Sequence, residues 1–151
     1  MASPLSGSVS TSIAASPERV WALISGQNSA TGPMASRWRE GPSRALVGRH
    51  FHRNVQHDGA CPIYWSHLTI RASEPGSVFA FTVDLPWRPA ATWRYDLRPS
   101  RVGTEVTESY ELADTWYYHF YASFARRWRT RHHRKAGTER LDRIKRAAEA
   151  K

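Results

Sequence analysis

The chain of 151 residues has one cysteine, Cys61. No internal disulfide can form, so a disulfide-stapled scaffold is excluded. Cys61 lies in a Gly-Ala-Cys-Pro stretch and reads as a turn residue rather than a nucleophile. Nowhere is there an uninterrupted apolar run of about 18 residues or more, the length a membrane-crossing helix needs. The opening MASPLSGSVS lacks both a basic start and an apolar segment, so it does not read as a secretory signal. A cytoplasmic protein is the expectation. A Walker loop, a dinucleotide fingerprint, an HExxH pair and a nucleophile elbow are all missing, and no cofactor is expected.

Two further scarcities are local. From Trp116 onward there is no proline and one glycine, Gly137. Acidic residues are also few there, three against eleven Lys/Arg, a net +8 out of the formal +9 of the whole chain. The body before Trp116 is therefore close to neutral, and the basic block can attract nucleic acid, anionic lipid or an acidic protein.

That C-terminal stretch is rich in helix formers and is expected to be helical over 116–149. Trp116, Phe120, Phe124 and Trp128 recur every four residues and form one stripe. Gly137, Leu141, Ile144 and Ala148 form another. At about 100° per residue the two stripes point more than a right angle apart. If both face one core, the helix must bend or break within 129–137.

Upstream, residues 8–15 alternate as a short strand. Ser16-Pro17-Glu18 is a helix start, with serine as N-cap and proline in the first turn. Val20, Trp21, Leu23 and Ile24 supply the apolar face of that helix. The Ser/Gly/Pro-rich 27–46 leaves room for a short second helix near 33–38. From Val47 the period switches to two. Strands are expected at about 49–57, 63–73, 78–85, 91–98 and 104–112, separated by turn residues such as Asp58-Gly59 and Pro75-Gly76. Each is apolar on one side only, as in an antiparallel sheet with one face covered. The last helix is the only element large enough to cover it. The expectation is a single α+β domain over 1–151, with 1–7 flexible and about six strands wrapped around the long helix.

At the level of motifs, SPERVWALIS, VGRHF, EPGSVFAF, TWRYDLRP, GTEVTESYEL and AGTERLDRIKRAAEA occur in this order. Together they resemble the START-like (SRPBCC) superfamily, and its polyketide cyclase/dehydrase branch in particular, over about 8–112 and 136–150. The resemblance implies a helix-grip fold with a cavity between sheet and helix. It also implies binding of lipids, polyketides or other apolar molecules, in some members with cofactor-free cyclisation or dehydration. Residues 116–133 depart from the family pattern in being longer, more aromatic and more basic.

Strand parity turns Phe79, Phe81, Trp93, Tyr95, Leu97, Val106, Glu108 and Tyr110 to one face, the candidate cavity lining. Glu108 shares its face with Val106 and Tyr110, while Glu105 and Glu111 point the other way. A carboxyl among aromatics suits general acid or base work, with Tyr95 or Tyr110 as hydrogen-bond donors. A glutamate paired with an arginine or tyrosine for structure is the competing reading. Phe79, Phe81, Trp93 and Val106, roofed by Trp116, Phe120 and Phe124, are the candidate ligand contacts. No metal site is expected: Phe51 and Val55 claim the buried face of their strand, which turns His50 and His52 outward. The basic run Arg126, Arg127, Trp128, Arg129, Arg131 and Arg134 offers contact to nucleic acid or a membrane surface, or is a solvated helix face.

Overall fold

The computed structural model describes residues 6–25, 50–55, 64–85, 88–114 and 116–150. Of these, the side chains of 50–55, 64–68, 85, 88–90, 117–118 and 121–129 stand outside the description, as does the segment near 33–38. The described elements are β1 (Ser6–Ile13), α1 (Pro17–Ile24), β2 (His50–Val55), β3 (Tyr64–Glu74), β4 (Val78–Leu85), β5 (Arg88–Ser100), β6 (Gly103–Leu112) and α2 (Trp116–Glu149).

The six strands form one antiparallel sheet in the order β1-β6-β5-β4-β3-β2. The first strand is thus carried across to pair with the last. Turn chemistry explains the tight connections: Gly76 and Gly103 both have positive φ, where a side chain would be strained. β5 runs longer than its alternation suggests. The sequence reads 86–89 as a loop bounded by prolines, yet pairing begins at Arg88, next to a register shift between Val83 and Asp84 of β4. A bulge of this kind is where a sheet tolerates proline.

Both helices pack on one face of the sheet. Helix α1 starts as its sequence dictates: the Ser16 side chain accepts a hydrogen bond from the Arg19 N–H, and Pro17 opens the first turn. It buries Val20, Trp21, Leu23 and Ile24, and the Trp21 indole N–H donates to the Val78 carbonyl at 3.0 Å. From α2 come Leu141, Ile144 and Ala148, which close the core with Ile13, Phe79, Leu97 and Val106. The far end of α2 is tied down by polar contacts. The Lys145 ammonium donates to the Ser12 carbonyl, and the Ala14 N–H donates to Glu149.

Helix α2 runs uninterrupted from Trp116 to Glu149. Of the bend or break expected within 129–137, a break is absent. Trp116 is 80% exposed and Phe120 64% exposed.

Candidate functional site

The register of the sheet sets two rows of inward side chains side by side. One row is Phe79, Tyr95, Glu108 and Val9; the next is Phe81, Trp93, Tyr110 and Gly7. The first row lies under the middle of α2. A Cβ on Gly137 would stand 2.9 Å from a Val9 methyl and 3.2 Å from a Glu108 carboxylate oxygen, so glycine is what lets the helix come this close. In the second row, Gly7 makes room for the Tyr110 ring, which a Cβ there would meet at 2.8 Å.

Glu108 is buried, and Arg140 reaches it from α2, one turn beyond Gly137. The guanidinium donates through Nη2 to Oε1 at 2.6 Å and through Nε to Oε2 at 3.0 Å. Such a two-point, charge-assisted contact is the strong form of an arginine–carboxylate pair. Burial works to lower the Arg140 pKa, but the hydrogen bonds to Glu108 and the neighbouring Tyr95 and Glu108 charges outweigh it, and the net shift is upward. The guanidinium carbon also stands 4.9 Å from the centre of the Trp93 ring, within cation–π range. Trp93, Tyr110 and His133 continue the stack, with Tyr110 and His133 ring centres 4.6 Å apart.

Tyr95 is the partner of Glu108 across the β5–β6 ladder and is fully buried. Among the described residues its hydroxyl makes no well-formed hydrogen bond, yet it stands close enough to both members of the ion pair for weak hydrogen-bond interactions with each to act on its titration. Burial, then the Glu108 charge, pushes its pKa well above the usual 10.0, with Arg140 opposing. A buried hydroxyl left without a well-formed hydrogen bond is uncommon. The site therefore combines a held ion pair, such a hydroxyl and a half-buried group of rings.

Solved structures share the fold of this chain. The chain matches a polyketide-cyclase-like protein of Corynebacterium glutamicum with a TM-score of 0.64, at 24% identity, over 99% of this chain and 94% of that one. It matches StfQ, the di-domain ARO/CYC of the steffimycin biosynthetic pathway, with a TM-score of 0.66 at 13% identity, over 96% of this chain and 50% of that one. DynU16, from the dynemicin biosynthetic locus, gives 0.65 at 13% identity, over 97% and 48%. The chain has the helix-grip (START-like) fold. No family model and no curated protein matches the sequence.

Within the helix-grip frame the candidate residues divide. Phe79, Phe81, Tyr95 and Val106 are buried in the core, and Trp93 and Tyr110 are half-buried beside it. Glu108 is inward, as parity requires, but not as a lone carboxyl among aromatics: an ion pair occupies both its oxygens. Trp116 and Phe120 are at the surface. Arg131 and Arg134 are exposed, while Phe124, Arg126, Arg127, Trp128 and Arg129 lie outside the described side chains. Sequence reasoning missed Arg140 and His133. A signal existed for Arg140: it sits three residues after Gly137 and four before Ile144, hence beside the buried stripe. A buried carboxylate in a facing strand needs a cation, and this is the arginine in reach.

Proposed function

We propose that the protein binds an apolar, aromatic or polyketide-like small molecule between sheet and helix, against Trp93 and Tyr110. One observation carries the reading: a buried Tyr95 hydroxyl with no well-formed hydrogen bond among the described residues, beside the Glu108–Arg140 pair and next to half-buried rings. Such a combination suits a flat ligand with an acceptor oxygen, whose rings stack while its oxygen meets a donor. The solved structures of the same fold include a polyketide-cyclase-like protein and an ARO/CYC, which agrees with this class of ligand.

Thermal unfolding with hydroxylated anthraquinones and with fatty acids tests the reading. Saturable stabilisation by the planar ligands, weakened in Trp93→Ala, is the expected result. No stabilisation by any apolar ligand refutes it.

A second reading, cofactor-free cyclisation or dehydration, draws on the same hydroxyl. Tyr95 would donate to a ligand carbonyl, with Glu108 and Arg140 holding the charge that develops. Tyr95→Phe weakens ligand binding on either reading; turnover by the parent that is lost in Tyr95→Phe is expected of an enzyme alone.

A further inference from the structure

The first half of α2 carries a surface that small-molecule binding does not use. Trp116 and Phe120 are one turn apart and mostly exposed; among the described large hydrophobic side chains, only Val102 is comparably so. Three turns on, Arg131, Arg134 and Lys135 are exposed as well. On a helical projection these five residues share one face, centred about 90° from the Gly137–Ala148 stripe. Lys135 has Glu139 at 4.0 Å, whereas no ion pair engages Arg131 or Arg134 among the described residues. Asp114, just ahead of the helix, is held by His119.

We infer that this face docks the protein on a bilayer containing anionic lipid. Aromatic rings at one end of a helix insert at the boundary between headgroups and acyl chains. Cationic side chains along the same face draw it to a negatively charged leaflet, and the charge is suited to this: α2 and the terminal lysine hold +8 of the chain's +9. The attachment is peripheral, since no described helix is long and apolar enough to cross a membrane. The other side of α2 stays on the sheet, so docking needs no unfolding of the core. It also needs no bound ligand and stands apart from the small-molecule reading.

Co-sedimentation of the full chain with vesicles tests this, using phosphatidylcholine alone and phosphatidylcholine mixed with phosphatidylserine. Binding is expected only with phosphatidylserine, and it weakens as salt rises. Arg131→Gln and Arg134→Gln each reduce the partition by about fivefold. Trp116→Ser with Phe120→Ser reduces it by about tenfold, at an unchanged unfolding temperature because both rings are exposed. Brominated phospholipid quenches part of the tryptophan emission, and that part is absent in Trp116→Phe. Equal binding to neutral and anionic vesicles, no binding to either, or variants that bind like the parent overturn the proposal. Retention on heparin without vesicle binding also overturns it and assigns the face to nucleic acid.

Discussion

Arg140→Ala removes the only described cation that contacts Glu108, whose side chain is 2% exposed in the parent. Breaking a buried pair from one side costs about 3–5 kcal/mol, because the remaining charge stays out of water. The Arg140 side chain is itself 21% exposed, so water can follow it into the gap, and the lower end, about 3 kcal/mol, is the expectation. Loss of the contact with the Trp93 ring adds roughly 0.5–1 kcal/mol. For a domain of this size, about 3 kcal/mol lowers the unfolding midpoint by roughly 6–12 °C. Urea unfolding of the parent, Arg140→Ala, Glu108→Gln and the double variant forms a complete cycle. The double variant should recover much of the loss, giving a coupling of about 2 kcal/mol or more. A loss below about 1 kcal/mol in Arg140→Ala, with no coupling to Glu108, would mean that the carboxylate is hydrated, and the account of the site given above would fail.

Two other substitutions probe the same region. Gly137→Ala gains about 1 kcal/mol of intrinsic helix preference. Its Cβ would stand 2.9 Å from Val9, so net destabilisation of about 1 kcal/mol is expected by chemical denaturation. Tyr95→Phe deletes a buried hydroxyl that has no well-formed hydrogen bond among the described residues, and it should be neutral or stabilising by up to about 1 kcal/mol at neutral pH. Because burial raises the folded Tyr95 pKa above its unfolded value, the unfolded chain gives up this proton first. The contribution to stability is therefore fully present below pH 10.0 and declines above it. The alkaline fall in midpoint should be shallower in Tyr95→Phe than in the parent, and equal slopes would remove Tyr95 as its source.

Much of the frame was legible in the sequence because it is written in local periods. The alternation in β4, β5 and β6 placed Phe79, Tyr95, Val106 and Glu108 on the inner face without any knowledge of their partners. Ser16 and Pro17 marked the start of α1 to the residue. The Gly137, Leu141, Ile144 and Ala148 stripe identified the part of α2 that meets the core. What a local period cannot express is which of two incompatible stripes on one helix wins. The sequence suggested a bend or break so that both could be buried; the unbroken helix buries one and leaves Trp116 and Phe120 exposed to solvent.

By itself, then, the sequence determined the element types, the inward parity and the concentration of charge in the last helix, all properties of neighbours along the chain. Only the tertiary structure decided that Glu108 meets Arg140, that Tyr95 stands beside them without a well-formed hydrogen bond, and that Trp93, Tyr110 and His133 form one group. The physical reason is distance along the chain. Glu108 and Arg140 are 32 residues apart and meet only because Gly137 lets the helix settle onto β1 and β6.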